Sequence, residues 1–86
     1  MNDLIKCHTH SSNNRDELMA SELCGCFYCE NIYTPDTITH WIDNQQTATC
    51  PNCMIDSVIG TKSGYPITSE FLKEMYKRWF DRFLTD

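Results

Sequence analysis

The stretch that decides the fold of this 86-residue chain runs from Cys24 to Cys53 and reads CGCFYCENIYTPDTITHWIDNQQTATCPNC. It contains two C-x2-C pairs, Cys26/Cys29 and Cys50/Cys53, with twenty residues between them. Two thiolates at this spacing can bind one metal ion from a tight turn, and two such turns supply the four sulfurs of a closed tetrahedral site. The spacing lies at the edge of the range typical of structural zinc. We therefore predict that Cys26, Cys29, Cys50 and Cys53 bind one structural Zn2+.

The same cysteines allow other interpretations. Some of them can be buried apolar residues. Cys50-Pro51-Asn52-Cys53 has the C-P-x-C form of a redox dithiol, but the βαβ pattern expected around that motif is absent. Cys24 can replace Cys26 in the first pair, and we favour Cys26 because the two-residue spacing recurs in the second pair. For Cys7 and Cys24, a buried or idle thiol is the simplest interpretation.

Composition and charge narrow the class of protein. The hydrophobic fraction of 41% is close to that of an ordinary globular domain, and no apolar run approaches the roughly 18 residues of a membrane span. Seven Lys and Arg against twelve Asp and Glu give a formal charge of −5, which argues against broad binding to phosphate backbones. No signal peptide is visible, so six cysteines favour metal binding over disulfides, and we expect a cytoplasmic protein.

The chain divides into segments of one predicted zinc-binding domain, residues 1–86. Residues 1–13 are expected to form a polar arm, residues 24–60 the zinc core and residues 67–84 a long C-terminal helix. Between the arm and the core we predict a short helix from Asn13 or Asn14 to Leu23, capped at its start by Ser12 or Asn13 and ended by Gly25. The predicted fold class is α+β, a small zinc-ribbon or treble-clef-like module with flanking N-terminal and C-terminal helices.

Local patterns predict elements inside the zinc core. Thr34-Pro35-Asp36 is typical of a helix start, with Ile38, Trp41 and Ile42 as an inward stripe at i, i+3 and i+4. The segment that follows predicts a turn over 43–46, a strand over Thr47–Thr49 and a second strand over Ile55–Ile59.

The C-terminal helix has a broad apolar face. Thr68 is its predicted cap, and its apolar residues recur with helical spacing. This face is wider than packing on a small zinc module requires. We expect part of it to bind a protein partner or a second copy, through Phe71, Met75, Trp79, Phe80 and Phe83.

The N-terminal run Cys7-His8-Thr9-His10 carries possible metal ligands. On an extended segment the two histidine rings point to one face and can bind a second metal with Asp16, Glu17 or Cys24. A metal-dependent hydrolase or nuclease that uses His8 and His10 is therefore an alternative function. The competing interpretation is an exposed polar arm. Asp56, three residues after Cys53, is expected to cap a helix or to bond the second cysteine turn, with a catalytic role as the lesser alternative.

Aromatic residues near the cysteines suggest a third function, a zinc-ribbon nucleic-acid binder. Phe27, Tyr28 and Trp41 can stack on bases. Packing around the zinc site explains the same residues, and the negative charge disfavours nucleic acid.

At the motifs Cys24–Cys29, Trp41, Thr47–Cys53 and Ile55–Gly60, the chain resembles a family of small bacterial cytoplasmic proteins with no assigned activity. The resemblance covers residues 8–80 and implies a cytoplasmic, zinc-ribbon-like protein without implying a reaction. That family often has glycine directly after the second pair, where this chain has Met54. The function that we predict first is a non-enzymatic, zinc-stabilised protein-interaction module, an adaptor or an inhibitor of a larger complex.

Overall fold

The computed structural model describes residues 2–80 of the chain. It is an α+β molecule in which three helices surround two small antiparallel sheets. The helices are α1 (Asn2–His8), α2 (Arg15–Met19) and α3 (Ser69–Trp79), and the strands are β1 (Cys24–Cys26), β2 (Ile32–Tyr33), β3 (Trp41–Ile42), β4 (Thr47–Ala48) and β5 (Val58–Gly60). Single 3-10 turns are formed by Thr9–Ser11, Pro35–Thr37 and Thr61–Ser63.

Strand β1 is the centre of a three-stranded sheet in the order β2-β1-β5, and β3 and β4 form a separate hairpin. Strand β1 runs antiparallel to both neighbours, with Cys24 opposite Tyr33 on one side and Cys26 opposite Val58 on the other. The first cysteine turn follows the end of β1, and the second cysteine turn precedes the start of β5. Because adjacent antiparallel strands place the end of one beside the start of the other, this register brings the two turns together.

Apolar side chains pack on both faces of the sheet. Val58 and Ile59 are neighbours on β5 and point to opposite faces, as successive residues of a strand do. One buried cluster contains Leu18, Cys24, Cys26, Ile38, Ala48, Cys50 and Val58. The other contains Cys7, Phe27, Ile59, Ile67, Leu72 and Met75. Four of the six cysteines are therefore core residues, and two of these belong to the predicted metal pairs.

The prediction of a polar arm over residues 1–13 is wrong. These residues contain helix α1 and a 3-10 turn, and Cys7 is fully buried. Leu4 is half-buried against the core cluster that contains Cys7 and Met75. Its carbonyl accepts a hydrogen bond of 3.1 Å from Trp79 Nε1. The sequence of this segment looks polar because only one short apolar edge of it faces inward. Packing of that edge against α3 stabilises the helix.

Helix α2 is shorter than the predicted helix that extends to Leu23. It has only the five residues of Arg15–Met19, and Gly25 lies in β1 instead of ending the helix. Asn14 is the N-cap residue but makes no side-chain cap bond. Its buried amide instead donates to the carbonyls of His10 and Val58 at 2.9 and 2.8 Å. A tertiary contact has therefore replaced the local cap.

The middle of the chain also departs from the predicted helix. Thr34 caps a single 3-10 turn with Pro35 at its start, as the motif predicts, but the turn ends at Thr37. Trp41 and Ile42 form strand β3, so the i, i+3, i+4 stripe is not helical. The predicted turn over 43–46 and the strand at Thr47–Ala48 are confirmed. The second predicted strand occurs as Val58–Gly60.

The C-terminal helix is confirmed within the described residues. Thr68 Oγ1 accepts a hydrogen bond of 3.2 Å from the Phe71 N–H, which is the predicted cap, and the helix is described to Trp79. Phe80 is its C-cap residue, and the predicted residues 81–84, with Phe83, lie outside residues 2–80. None of the helices in the described part combines the length and the apolar content that crossing a membrane would require.

Candidate metal centre

The first cysteine turn is built by the chain as it leaves β1. The Glu30 N–H donates to the Cys26 carbonyl at 2.8 Å, and the Cys26 N–H donates to the Asn31 carbonyl at 3.0 Å. This closes the chain around the Cys26 sulfur, which accepts from the Tyr28 N–H at 3.3 Å and from the Cys29 N–H at 3.5 Å. The reversal needs a left-handed backbone at Glu30, whose φ is 65°.

The second cysteine turn repeats this arrangement. The Met54 N–H donates to the Cys50 carbonyl at 2.8 Å, and the Cys50 N–H donates to the Ile55 carbonyl at 2.9 Å. The Cys50 sulfur accepts from the Asn52 N–H at 3.3 Å. Met54 is left-handed with φ 68°, at the position equivalent to Glu30. The two C-x2-C pairs are thus two copies of one local structure.

The four predicted cysteines converge. Their sulfur atoms all lie within 4.8 Å of one another. The sulfurs of Cys26 and Cys53 are 3.6 Å apart, as are those of Cys29 and Cys50. With metal–sulfur bonds of about 2.3 Å, the edge of a tetrahedron is about 3.8 Å, so this spacing matches a four-sulfur metal site. All four cysteines are free thiols without disulfides.

Neutral hydrogen-bond donors, not cations, face the sulfurs. Besides the backbone N–H groups of both turns, the Asn31 side chain donates to the Cys29 sulfur at 3.4 Å. The Ser57 hydroxyl lies 3.1 Å from the Cys26 sulfur, and Ser57 is 2% exposed. These N–H and hydroxyl groups, and not cations, are therefore placed to stabilise negative charge on the sulfurs. The Ser57 and Asn31 side chains were not identified from the sequence, because no spacing rule connects Ser57 to Cys26 across 31 residues.

Burial and hydrogen bonding move the thiol pKa values in opposite directions. Burial raises the pKa of Cys26 above its usual range, against hydrogen bonds from Ser57 and from the N–H groups of Cys29 and Tyr28. Burial also raises the pKa of Cys53. For Cys29, burial acts upward but hydrogen bonds from Asn31 and then Asn52 outweigh it and lower the pKa to about 6. In the absence of a metal, the Cys29 thiol is therefore ionised at neutral pH.

The Tyr33 hydroxyl tests whether a metal fits the site. Its oxygen is buried. Among residues 2–80, it is the one buried side-chain nitrogen or oxygen atom that has no hydrogen-bond partner. Burial, and then interaction with the facing Cys50 thiol, raise the Tyr33 pKa far above its usual range, so the hydroxyl keeps its proton. A metal-bound thiolate at Cys50 is an acceptor that would satisfy this donor. The residues present therefore fit an ion bound by the four sulfurs.

The two remaining cysteines are buried thiols. Cys24 Sγ donates to the Tyr33 carbonyl at 3.4 Å, which favours Cys26 as the member of the first pair. Cys7 lies in the other core cluster, on the far side of the sheet. Burial, and to a smaller extent the Cys50 charge, raises the pKa of Cys24 to about 12. Burial, and to a smaller extent the Glu17 charge, raises the pKa of Cys7 to about 12. Both thiols are protonated at neutral pH.

The two N-terminal histidines contact different neighbours. His10 Nδ1 lies 2.9 Å from a carboxylate oxygen of Glu17. The His8 ring packs against Trp79 with centroids 4.0 Å apart. Within residues 2–80, the four cysteines are the one group of three or more His, Cys, Asp or Glu side chains close enough to share a metal ion. The extended H-x-H geometry expected for a second site does not form, because His8 is in a helix and His10 in a 3-10 turn.

The aromatic residues predicted near the cysteines have different environments. Phe27 is 1% exposed and belongs to the core. Trp41 is half-buried beneath the Arg15 guanidinium, which lies 4.6 Å from the ring centroid. Tyr28 is 41% exposed. The structure therefore offers one exposed ring of the three, which does not form the row of stacking platforms expected for base recognition.

Comparison with known proteins does not indicate a reaction for this chain, so its chemistry is inferred from the residues of the site. No family model matches this chain, and no match was found among curated proteins or solved structures. A site made of four cysteine sulfurs leaves no open coordination position for a substrate, which distinguishes a structural centre from a catalytic one. The arrangement can hold an ion that joins the end of β1 to the start of β5.

Proposed function

We propose that this chain is a non-enzymatic, zinc-stabilised protein-interaction module, with a zinc-ribbon-like or treble-clef-like core. The observation that carries the proposal is an exposed aromatic surface directly beside a closed four-sulfur site. A closed site supplies folding energy but no reactive position. The part of the molecule that remains available for function is its surface.

Zinc is the proposed ion because four thiolates in tetrahedral positions are typical of structural zinc sites. Iron is the other common ion of such a donor set. Native mass spectrometry of purified protein, with elemental analysis, distinguishes them. One zinc per chain is expected; one iron, or metal-free folded protein, would contradict the zinc assignment.

The exposed aromatic surface is formed by Tyr28 from the first cysteine turn and Phe80 directly after α3, with the half-buried Tyr76 of α3 beside them; we call these three residues the aromatic ledge. The ring of Tyr28 lies 4.9 Å from that of Phe80 and 5.8 Å from that of Tyr76. Tyr28 is 41% and Phe80 36% exposed. Tyrosine and other large aromatics are enriched at the energetic centres of protein interfaces, which supports a docking role for the ledge.

The ledge replaces most of the partner face that the sequence predicts on α3. Met75 is fully buried, so its place in that face was wrong. Phe71 and Trp79 are half-buried and pack on the core cluster around Met75. Phe80 remains as an exposed member, and Phe83 lies outside residues 2–80. The proposed surface is therefore narrower than the helix face and includes the metal-supported turn.

Charge favours a partner with a basic surface. The formal charge is −5, and four thiolates with one dication add −2, giving −5 − 2 = −7. An acidic surface steers association with basic partners and repels nucleic acid. The proposal includes the cytoplasmic location implied by the resemblance, where thiols stay reduced.

A capture experiment tests the ledge. The double variant Tyr28→Ser/Phe80→Ser should lose the proteins that the wild-type zinc-loaded chain enriches. A matched control is Ile5→Ser/Met19→Ser, which removes two other exposed apolar side chains, 47% and 55% exposed. Zinc content and thermal unfolding verify that both double variants fold. Retention of the same proteins by the ledge variant, or enrichment of none by the wild type, would contradict the interaction function.

A further inference from the structure

A second surface feature lies beside the ledge. It is a cleft of about 250 Å³ between the end of α1, the first cysteine turn, the segment that precedes β5 and the end of α3. Its volume is that of one long side chain, well below the size of a site for a folded peptide segment. It is lined by His8, Ser11, Ser12, Phe27, Ile55, Asp56, Ser57 and Phe80.

Aromatic rings form one wall of this cleft. The rings of Phe27 and Phe80 are 5.9 Å apart and tilted by 37°, and the His8 ring lies 5.9 Å from Phe27. Phe27 is held in place because it is buried and its N–H donates to the Ser57 carbonyl at 3.0 Å. Phe27 therefore forms the fixed, buried base of the wall, and the Phe80 ring, which is 36% exposed, is the accessible face for a planar cation.

With histidine counted as neutral, the Asp56 carboxylate is the one formal charge among the side chains that line the cleft. Asp56 is exposed, and within residues 2–80 no ion pair involves its carboxylate. No lysine or arginine is among the lining residues. The Ser57 hydroxyl, at the base of the cleft, contacts the Cys26 sulfur at 3.1 Å, so the −2 charge of a loaded four-thiolate centre lies directly behind it. Asp56 therefore repels an anionic ligand at this cleft and attracts a cation.

We propose that this cleft binds the guanidinium group of an arginine side chain on a protein partner, an inference that rests on the proposed interaction function. A guanidinium is planar, weakly hydrated and rich in donors, so it can stack on the exposed Phe80 ring while it donates to Asp56. The hydroxyl of Ser12, which is exposed at the rim, offers a further acceptor. A lysine ammonium is strongly hydrated and lacks a flat face, so it fits this wall less well.

The test is a titration of zinc-loaded, 15N-labelled protein with a capped arginine, N-acetyl-arginine amide, followed by NMR. Saturable shifts confined to the lining residues are expected. N-acetyl-citrulline amide, which has the same shape without the charge, and N-acetyl-lysine amide should both bind more weakly. Free arginine should bind no better than the capped form, since its α-ammonium and α-carboxylate together add no net charge.

Two variants test whether capped arginine binds in the cleft. Asp56→Asn should weaken capped-arginine binding by about fivefold, as expected for loss of one exposed ion pair. Asp43→Asn is the matched control, because it makes the same change at an exposed hairpin turn away from the cleft and should leave binding unaltered.

Several outcomes would overturn the inference. Absence of saturable shifts removes the cleft as a site, and equal binding of capped citrulline or capped lysine removes the guanidinium. Tighter binding of free arginine than of the capped form assigns the cleft to a small molecule. If capped arginine does not bind while the ledge variant still loses its partners, the cleft inference fails and the interaction function stands. If capped arginine binds while the ledge variant keeps its partners, the proposed function fails instead.

Discussion

At the scale of single residues, Tyr33 connects the core to the metal centre. Its hydroxyl is buried without a partner among residues 2–80, and the thiol that it faces is Cys50. An unpaired buried donor destabilises the fold unless a ligand or water satisfies it. A metal-bound thiolate at Cys50 would be an acceptor for this donor, so we expect Tyr33 to stabilise the loaded state over the metal-free state.

The prediction is that Tyr33→Phe lowers zinc affinity by about tenfold, the lower end of the effect of removing a hydrogen bond to a metal ligand. The change deletes the donor and keeps the packing of the ring. Competition with a chelator measures the affinity. Tyr76→Phe is the control, because Tyr76 contributes to the exposed ledge and should leave zinc affinity unchanged. Equal affinities for Tyr33→Phe and wild type would show that the hydroxyl does not stabilise the bound thiolate.

At the scale of elements, the two cysteine turns have the same hydrogen-bond pattern and the same backbone requirement. Each turn needs a left-handed residue four positions after its first cysteine, Glu30 in one and Met54 in the other. Residues with a Cβ pay about 1–2 kcal/mol in this conformation. The chain thus accepts local strain in both turns, because each turn closes around a sulfur.

Met54→Gly is expected to stabilise the zinc-loaded fold by about 0.5–1 kcal/mol, since the relief of left-handed strain exceeds the entropic cost of glycine. The Met54 side chain is 54% exposed, so little packing is lost. Met19→Gly is the matched control: Met19 is 55% exposed but lies in helix α2, and this change should destabilise by a similar amount. Denaturant unfolding at saturating zinc measures both. Destabilisation by Met54→Gly would contradict the strain at the second turn.

At the scale of the whole molecule, the four-cysteine site joins two turns that lie beside very short strands. Strands of two or three residues are marginal by themselves. A structural zinc site contributes on the order of 10 kcal/mol in apparent terms at neutral pH. The thiolate centre spans the junction of β1 with β5 and contacts the cluster around Leu18. Folding and metal binding should therefore be one coupled event.

This coupling makes stability depend on pH. Thiols must lose their protons to bind the ion, and the pKa values of Cys26 and Cys53 are raised in the metal-free site. At neutral pH both thiols enter binding protonated, so at least these two protons are released. Cys29, with a pKa of about 6, adds a further proton only below that pH. Metal affinity thus rises with pH and is lost on acidification.

We expect zinc affinity to fall by at least about 100-fold per pH unit as pH drops from about 8 to 7, because at least two protons are released on binding. Competition with a chelator of known pH dependence measures it, and tryptophan fluorescence from Trp41 and Trp79 reports loss of the fold. Cys24→Ala is the control, because its buried thiol is not among the converging sulfurs and the slope should persist. A pH-independent affinity would contradict proton release from the site.

The sequence by itself determined the four converging cysteines and the strongest local signals. Spacing and residue type suffice to predict features that depend on contacts within a few residues. These are the two similar C-x2-C turns, the Thr68 cap and the turn over 43–46. Only the tertiary structure decided the rest. It made a helix of residues 2–8 by packing Cys7 and Leu4 on α3, and it diverted the Asn14 side chain from a helix cap to the Val58 carbonyl. It also brought Ser57 to the Cys26 sulfur and Asp56 to a cleft, because such long-range contacts arise from sheet register, which no local pattern encodes.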